Sequence, residues 1–503
     1  MTHRLSKSRL LSGLQCPKKL YLELHQPSLA DHDSAASQRV RMGERVGELA
    51  RQLTPGIFLD DRYTLCQAFA ETERLLVQST NIVIHEATFS ASGLLVRGDT
   101  FVQDAASCSL YEVKSSTGVK DYQLTDCAIQ SWVMDQAGYP LDEVFIRHID
   151  NNFVYATPGD YAGLFRDVPV GREIASLKVQ VPNWLNRCQT VLSGTEPDTE
   201  PGDHCRKPFP CPFQSHCCSD KQTDYPVTTL PRANKLGRQL AEEGVVDIRD
   251  IPEDRLTKPL LRRIREAVVS DRPYIAPDPL ALVAALAYPR YYIDFEPVNP
   301  AIPLWISTRP YEQIPFQWSC HIEYEHGGLV HREFLDVSRE SPMRAFTESL
   351  LEAVGCDGTV LAYNASFESR ILRDMATRFS EHAGQINSII DCLVNLLDIT
   401  REHYYHPAMH GSWSIKAVLP TVAPGLDYSK LTGVHNRGEA QTTYLACISS
   451  GMAKEERNRL AESLKRYCEL DTYAMVEMAR FFSRDSGAQA TKNTERLLSL
   501  IHI

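Results

Sequence analysis

The sequence predicts a mixed α/β fold, and three observations support that prediction. The run RYYIDFE at residues 290–296 alternates and is rich in residues that favour strands. The turn His326-Gly327-Gly328 then joins two further strands in a hairpin pattern. A long amphipathic pattern, KEERNRLAESLKRYCELDTYAMVEMARFFSR, predicts a helix near the end of the same region.

The composition is that of a globular chain with more than one domain. Its 503 residues are 43% hydrophobic, which is enough to build several ordinary cores. Residues 1–222 end in a Cys-rich segment, residues 223–285 are polar with a helical pattern, and residues 286–503 open with the strand described above. We therefore expect two larger domains and a helical connector.

Charge and apolar patterning narrow the cellular setting. There is no run of eighteen apolar residues, so no membrane span is expected. The N-terminus lacks the apolar core and cleavage site of a secretion signal, which makes a cytoplasmic location the expectation. The net charge of −11 disfavours broad non-specific binding to nucleic acid but still permits a local basic groove.

Several acidic residues of the C-terminal region lie on predicted strands and helices at positions where their side chains can face one another. Asp294 and Glu296 lie two apart on the first strand and therefore point the same way. Glu368 falls in the first turn of a helix that follows the strand GTVLAYN, although the helix dipole alone favours a carboxylate there. Tyr467 and Asp471 are four apart and share a helix face. Two adjacent carboxylates repel, so they suggest a bound cation; a solvated strand end is the alternative.

The order of these motifs resembles the DnaQ-like (DEDD) exonucleases, in the subgroup that uses Tyr. The resemblance spans roughly residues 288–482 and implies an RNase H-like domain with 3′→5′ exonuclease activity. It implies that two divalent metals, Mg²⁺ or Mn²⁺, are bound by Asp294, Glu296, Glu368 and Asp471, and that Tyr467 orients the attacking water. The chain departs from the family at Glu368, where Asp is usual.

Two further segments lie between the second and third motifs. SIIDCLVNLLDI predicts a buried strand and helix with Asp391 near the active face, and HGSWSIKAVLPTVAP carries Lys416, which would reach a phosphate. A surface lysine is the alternative for Lys416. Together the segments resemble a bacterial family of uncharacterised proteins that joins this exonuclease to a RecB-type domain.

The N-terminal region predicts three antiparallel strands over residues 81–114. Asp99 lies on the second strand, and Glu112 and Lys114 face one side of the third. This D…ExK pattern resembles the PD-(D/E)XK nucleases, with a restriction-endonuclease-like fold. The resemblance implies that the two carboxylates hold a metal and that the lysine supports the attacking water or the developing phosphate charge.

Flanking helices supply two further candidates by the same resemblance. RMGERVGELARQL carries Glu48, which would be a third metal ligand, with a solvated helix face as the alternative. YQLTDCAIQSWVMDQAG carries Gln130, which resembles the glutamine that the family places on such a helix.

Most of the 14 cysteines stand singly, but four crowd together at Cys205, Cys211, Cys217 and Cys218. Zinc ligands usually come as CxxC pairs, which are absent here, whereas an iron–sulfur cluster needs four thiolates. With Cys16 as a distant fourth ligand, the pattern resembles the iron–sulfur RecB-type nucleases. That resemblance implies a [4Fe–4S] cluster on Cys16, Cys205, Cys211 and Cys217, with Cys218 as a substitute for Cys217; zinc stays open.

The functional expectation is a metal-dependent nuclease with two active sites and single-stranded or end-containing DNA as substrate. The connector, with the basic helix KPLLRRIREAV, resembles a helix–hairpin–helix; a plain linker is the alternative. RNA trimming is a second possible activity, and a nucleic-acid-binding module with one inactive head is a third. Repair and phage defence are both open as pathways.

Overall fold

The computed structural model describes residues 5–31, 34–105, 107–218, 223–276, 283 and 285–483, without the side chains of 34–37 and 234. The chain divides into two compact units. The first comprises Met1–Asp220 with Pro300–Glu312, and the second comprises Lys221–Asn299 with Gln313–Ile503. The stretch predicted as a connector, residues 223–285, therefore belongs to the second unit, and the last twenty residues lie outside the described ones.

The first unit is built on a mixed sheet. Its strands are β1 Leu5–Ser6, β2 Ile57–Phe58, β3 Ile82–Ala91, β4 Leu94–Asp104, β5 Ser107–Lys114, β6 Glu143–Ile149 and β7 Phe165–Pro169. They lie in the order β2-β3-β4-β5-β6-β7, with β1 paired to β4. The β3-β4-β5 part is antiparallel, as the sequence predicts, and β6 adds to β5 in parallel.

Helices cover this sheet and bury its apolar side chains. They are α1 Lys7–Gln15, α2 Pro17–His25, α3 Ser34–Leu53, α4 Leu65–Gln78, α5 Asp121–Gln136, α6 Gly171–Lys178, α7 Val181–Ser193 and α8 Gln214–Cys218. The core includes Phe89, Phe101 and Leu110 from the strands and Ile129 and Val133 from α5. The predicted helices around Glu48 and Gln130 are confirmed as α3 and α5.

The second unit holds a sheet of order β11-β10-β9-β12-β13 and a separate pair β14-β8. The strands are β8 Tyr274–Ile275, β9 Arg290–Val298, β10 Ile314–Glu323, β11 Leu329–Leu335, β12 Thr359–Ala362, β13 Leu393–Asn395 and β14 Tyr404–Tyr405. β9, β10 and β11 form an antiparallel meander, whereas β12 and β13 continue in parallel from β9. The predicted strand, the hairpin and the later strand in GTVLAYN are confirmed, and the structure adds that this later strand is parallel to β9.

Helices of the second unit pack on this sheet and on one another. They are α9 Asn234–Glu242, α10 Pro259–Ser270, α11 Met343–Ala353, α12 Ala365–Arg378, α13 Ala383–Asp391, α14 Leu396–His403, α15 Ile415–Val422, α16 Arg437–Cys447 and α17 Lys454–Phe482. The long helix α17 lies against β9 and β10. Its buried Met475 and Phe482 join Tyr292 and Leu361 of the sheet in one core.

Candidate functional site

Three carboxylates of the second unit meet where α17 crosses β9. Asp294 and Glu296 extend from the same face of β9, and Asp471 faces them from α17. One carboxylate oxygen from each lies within 4.8 Å of the others. Glu296 and Asp471 are buried at 1% and 6% exposure, so these charges are largely withdrawn from water. We call Asp294, Glu296, Asp471 and the neighbouring Glu368 the C-terminal acid group.

Glu368 reaches this group from the first turn of α12. The chain leaves β12 through Asn364, whose φ of 92° lies in the left-handed region that Asn tolerates better than most residues. This turn aims the start of α12 at the acids, and Glu368 is 2% exposed. Among the described residues, Glu368 Oε2 and both carboxylate oxygens of Glu296 have no hydrogen-bond partner.

Burial governs the ionisation of the C-terminal acid group. It raises the pKa of Asp294 to about 7, with a further contribution from Asp471, and it raises the pKa of Asp471 to about 6. Burial, followed by the charge of Asp294, also holds the pKa values of Glu296 and Glu368 well above their usual range. Buried carboxylates without partners are costly to ionise, so the arrangement favours a bound cation.

Two tyrosines contact the acids. The Tyr428 hydroxyl donates a 2.5 Å hydrogen bond to Asp471 Oδ1, and this bond opposes the rise in the pKa of Asp471. Tyr467 lies one helical turn before Asp471, and its hydroxyl also opposes the rise in the pKa of that carboxylate. Sequence analysis identified Tyr467 but missed Tyr428, which lies 43 residues before Asp471 in no recognisable motif.

Two cations lie beside these groups. Lys416 Nζ lies 5.1 Å from the ring centroids of both Tyr428 and Tyr467 and donates to the His435 carbonyl. Burial lowers the pKa of Lys416 although Asp471 and Glu296 oppose that change, so the surface-lysine alternative does not describe it. Arg437, which sequence analysis missed, places its Nε 3.6 Å from Glu296 Oε2.

Asp391 does not join the acids. It is exposed at the end of α13, immediately before β13, whereas Glu368 follows the other end of the parallel strand β12. The strand predicted to be buried is β13, and its three residues are only half-buried, so that expectation was wrong. Its side chains contribute to the sheet edge, but Asp391 lies on the far side from the acids.

A second group with ligand-like spacing consists of His321, His331 and Glu469, whose ligand atoms lie within 4.8 Å of one another. The two imidazoles stack at 4.6 Å between centroids with planes 30° apart. An ion bonded to a ring nitrogen lies close to the ring plane, and two nearly parallel rings do not converge on one such point. Their hydrogen bonds go instead to the hydroxyls of Ser319 and Thr472.

The first unit also gathers charged side chains on one face of its sheet. Thr100 of β4 pairs with Tyr111 of β5, so the neighbouring residues Asp99 and Glu112 stand opposite each other on the two strands. Asp99 Oδ2 accepts a 2.7 Å hydrogen bond from the Val113 amide. Burial, followed by the charge of Glu112, raises the pKa of Asp99 to about 8. Lys114 Nζ lies 2.7 Å from Glu112 Oε1.

Helix α5 completes this arrangement. Gln130 Nε2 donates to Glu112 Oε2 at 2.7 Å, so the structure brings the predicted glutamine to the acids. Asp126, one turn earlier on α5, lies 2.7 Å from Lys114 Nζ and was missed. Its spacing of four residues from Gln130 is a signal that the sequence offered. We call Asp99, Glu112, Lys114, Asp126 and Gln130 the N-terminal group.

Glu48 is exposed on α3, whereas another acid, Glu86, lies beside the N-terminal group. Glu86 has a φ of 59°, and the pairing of β3 with β4 skips this position and resumes in the same register at Ala87. Burial raises the pKa of Glu86, with Arg97 opposing and Glu112 adding to the rise. A single acid within the apolar strand NIVIHEATFSA was the available signal.

Four predicted cysteines come together at one end of the first unit. Cys205 and Cys211 are buried with Leu22 and Phe213, and Cys217 packs against them. Cys16 is buried between α1 and α2. Burial raises the pKa of the thiols of Cys211 and Cys217, and the other thiols, including Cys16, add to the rise. We call Cys16, Cys205, Cys211 and Cys217 the cysteine group; Cys218 is half-buried next to it.

Within the described part of the chain, every helix is either too short or too polar to cross a bilayer.

Comparisons with known proteins match parts of the chain. The model of a family described as "Domain of unknown function (DUF2779)" matches residues 291–414, which include Asp294, Glu296 and Glu368. An uncharacterized protein of Mycoplasma genitalium, MG366, is 28% identical over 218 residues, covering 38% of this chain and 32% of that protein. Its Mycoplasma pneumoniae homolog is 27% identical over 211 residues, with the same coverage of 38% and 32%.

A third relative, the uncharacterized protein UU173 of Ureaplasma parvum, is 24% identical over 235 residues, covering 42% of this chain and 34% of that protein. The chain thus spans about a third of the length of the curated relatives it matches. Their printed names state no activity. The chain is similar in part to these proteins.

Proposed function

We propose that this protein is a metal-dependent nuclease with two active sites, whose C-terminal head is a 3′→5′ exonuclease acting on DNA. The observation that carries the proposal is the C-terminal acid group. Three carboxylates from two elements converge within 4.8 Å, and buried oxygens of Glu296 and Glu368 have no hydrogen-bond partner among the described residues. Such a set is stable when ionised only if a cation is shared among its members.

The donors fit Mg²⁺ or Mn²⁺. All four side chains of the C-terminal acid group offer oxygen, and hard divalent cations prefer oxygen ligands. When bound, two such ions supply an activated water and stabilise the leaving oxygen. The motif order resembles that of the DnaQ-like exonucleases. On that resemblance we propose that nucleotides are removed from the 3′ end.

The chain's own residues then position the substrate. The Tyr467 hydroxyl, one turn before Asp471, would orient the attacking water, while Tyr428 fixes the Asp471 carboxylate. Lys416 and Arg437 lie on the same side as the acids and supply positive charge for a phosphodiester. Glu368 replaces the usual Asp, and its longer side chain reaches the group from α12.

The N-terminal group supports a second nuclease head. Asp99 and Glu112 are the carboxylates that would hold a divalent cation, and Lys114 would support the attacking water or the developing phosphate charge. Gln130 holds Glu112 in place through its 2.7 Å hydrogen bond. Glu86, rather than the exposed Glu48, is the further acid near enough to feel the charge of Glu112.

The cysteine group fits a polynuclear cluster better than a single zinc ion. Bonds of about 2.3 Å to one zinc would place the sulfurs roughly 4 Å apart. Among the described residues, no three cysteine sulfurs lie within 4.8 Å of one another, although Cys16, Cys205 and Cys211 are buried and Cys217 is half-buried against the last two. A [4Fe–4S] cluster on these residues would hold the start of α2 to α8 and to the segment before it.

The test of the C-terminal head uses Asp294→Asn and a 5′-labelled single-stranded DNA. We expect the variant to lose stepwise release of 3′ nucleotides in Mn²⁺ by on the order of 10³-fold, while DNA binding stays near that of the wild type. Asp391→Asn, the same exchange at an exposed position away from the acids, should behave as wild type.

Unchanged nucleotide release by Asp294→Asn would overturn the C-terminal assignment. DNA and RNA substrates of matched sequence distinguish the two polymer classes, because an RNA-trimming enzyme would prefer the RNA strand. If neither the wild type nor Asp391→Asn releases nucleotides while both bind the strand, the protein is a binding module.

The cluster has its own test. Protein purified without oxygen should be brown and carry about four iron atoms for each chain. Cys16→Ser should lose the colour, and the exposed Cys66→Ser should keep it. Colourless protein with one zinc for each chain would contradict the cluster.

A further inference from the structure

Lys7 lies among the carboxylates of the N-terminal group although it is 105 residues away from Glu112 in sequence. It is the first residue of α1, and its side chain is 18% exposed. Its Nζ lies 3.0 Å from Glu112 Oε1 and 2.8 Å from Asp126 Oδ1. The proposed nuclease chemistry of the first unit uses its acids, Lys114 and Gln130, but it gives no role to this second ammonium group.

Lys114 contacts the same two carboxylates from the other side. Its Nζ lies 2.7 Å from Glu112 Oε1 and 2.7 Å from Asp126 Oδ2. Asp126 therefore bridges two lysines with its two oxygens, while Glu112 Oε1 accepts from both. Both lysines therefore donate to Oε1, while Gln130 donates to Oε2, so a cation that binds Glu112 through Oε1 has to displace one of the two lysines.

The charge balance of the N-terminal group shows what a second lysine adds. Glu86 is paired with Arg97, whose Nε lies 3.2 Å from Glu86 Oε2, so these two charges cancel. Asp99, Glu112 and Asp126 carry three further negative charges when ionised, and Lys7 and Lys114 carry two positive charges, which leaves one negative charge. A divalent cation turns this balance to one positive charge, which complements a phosphodiester. Without Lys7, the same cation would leave the site neutral and less able to hold the substrate.

Lys7 is not needed to hold α1 in place. Ser6 caps the helix by accepting from the Arg9 amide, and Leu10 is fully buried in the core. Gln15 at the other end donates to the carbonyls of His204 and Phe209 at 2.7 and 2.8 Å. An apolar side chain would serve packing at lower cost than a buried ammonium group, so charge is the property that position 7 supplies.

We propose that Lys7 is a second lysine of the N-terminal active site: it competes with the divalent cation for Glu112 and, once displaced, offers its charge to the substrate phosphodiester. Asp126 keeps the ammonium group within reach during this exchange. The inference rests on the proposed nuclease function of the first unit. It assigns a substrate-binding role to a residue outside the D…ExK motif.

The first test is a Mn²⁺ titration of the full-length chain, followed by the electron paramagnetic resonance signal of free Mn²⁺. Asp294→Asn and Asp471→Asn are present throughout, so that the C-terminal acid group contributes little. Lys7→Met should bind Mn²⁺ on the order of ten-fold more tightly, because a positive charge next to the cation is gone. Lys7→Arg keeps the charge and should bind as the parent does.

Lys178→Met is the matched control. Lys178 pairs with Asp135, which lies on α5 like Asp126, but it does not contact Glu112. A lysine with a structural role alone predicts weaker or unchanged Mn²⁺ binding in Lys7→Met, and either result would overturn the proposal. If Lys7→Met does not fold, as judged by circular dichroism, Lys7→Gln replaces it with the same expectation.

The second test is hydrolysis of DNA at saturating Mn²⁺ by the same chains. Lys7→Met should weaken DNA binding and lower the single-turnover rate by about ten-fold or more, and Lys7→Arg should restore both. Equal binding and rates in Lys7→Met and the parent would refute the inference. If Glu112→Gln also leaves the rate unchanged, the proposed function of the first unit fails instead.

Discussion

The carboxylates of the C-terminal acid group link pH to stability. Burial raises the pKa of Asp294 from 3.8 to about 7 and that of Asp471 from 3.8 to about 6. A raised pKa in the folded state means that both carboxyls favour folding when protonated. This contribution is full below about pH 4 and is lost as the pH rises through 6 and 7.

We therefore expect the metal-free protein to become less stable through this site between pH 5 and pH 8. Under the proposal, Mn²⁺ binds the ionised acids in place of the protons, so the increase in melting temperature on adding Mn²⁺ should be larger at pH 8 than at pH 5.5. Differential scanning calorimetry measures both values. Asp294→Asn should show a smaller Mn²⁺ gain at pH 8, and an equal gain at the two pH values in the wild type would contradict the expectation.

The hydrogen bond from Tyr428 to Asp471 is a separate determinant of the same ionisation. Removing the hydroxyl in Tyr428→Phe takes away a short bond that favours the charged carboxylate, and a bond to a charged group contributes about 1.5–3 kcal/mol. The pKa of Asp471 should rise by roughly one to two units. The acidic limb of the pH–rate profile for nucleotide release should then move to higher pH.

Tyr404→Phe is the control for this exchange. Tyr404 donates to the Thr421 hydroxyl at 3.0 Å and does not contact the acids. Its loss should leave the position of the acidic limb unchanged even if the protein is less stable. A shift of equal size in both variants would mean that Tyr428 acts through folding alone.

Elements were predictable where a short segment carries its own pattern. The strand with Asp294, the antiparallel strands around Asp99 and the helix with Asp471 all follow from alternation or helical spacing within one segment. These patterns hold because each element buries one face. Candidate metal ligands such as Asp294, Asp99 and Asp471 could therefore be identified, because each lies within a segment whose own pattern predicts its strand or helix.

The residues that were missed come from elsewhere in the chain. Lys7 and Asp126 reach Glu112 from α1 and α5, and Tyr428 and Arg437 approach the acids from segments with no acid motif. Their positions depend on tertiary contacts between distant segments, which no local pattern in a single sequence predicts. Glu48 was chosen for its helix, yet the helix turns that position to solvent.

The junction of β9 and β12 depends on a glycine. A Cβ at Gly358 would lie 1.9 Å from the Pro289 carbonyl oxygen, which is backbone and has no room to move without shifting β9. Gly358→Ala should destabilise the second unit by roughly 3 kcal/mol, the upper end of the usual cost of overpacking, because the clash is with backbone. Because β9 carries Asp294 and Glu296, nucleotide release should fall together with stability.

Gly384→Ala is the matched control in α13. Nothing lies within 4 Å of a Cβ added there, and alanine favours helix over glycine by roughly 0.5–1 kcal/mol. Its midpoint of urea unfolding should therefore be equal to or higher than that of the wild type. If Gly358→Ala and Gly384→Ala unfolded at the same midpoint, the close approach at Pro289 would not constrain the sheet.

The whole chain divides less simply than its sequence indicates. Residues 300–312 follow β9 and precede β10, yet they belong to the first unit. There the Ser307 amide donates to the Tyr155 carbonyl at 2.8 Å, and the Tyr155 amide donates to the Thr308 carbonyl at 3.0 Å. A domain boundary inferred from composition divides the chain into continuous segments, so the insertion of residues 300–312 into the first unit was not predictable. Each unit contains residues from both sides of residue 299.

If the chain carries the two active sites that we propose, single and double variants should give a specific pattern of products. Asp294→Asn should abolish stepwise release from 3′ ends and leave hydrolysis by the N-terminal head. Glu112→Gln should do the reverse, because it removes a carboxylate that is 2% exposed and contacted by two lysines. Sites that share no side chains contribute independently, so the double variant should lose both activities by on the order of 10³-fold.

Denaturing gels of 5′-labelled DNA resolve the two product ladders, and Asp391→Asn with Lys178→Met provides a doubly substituted control with both sites intact. Residual hydrolysis in the double variant would point to a contaminant or to a third site. Identical products from Asp294→Asn and the double variant would mean that the N-terminal group, despite its buried charges, does not cleave DNA. In that case the acids and lysines of the first unit would bind the strand while the second unit cuts it.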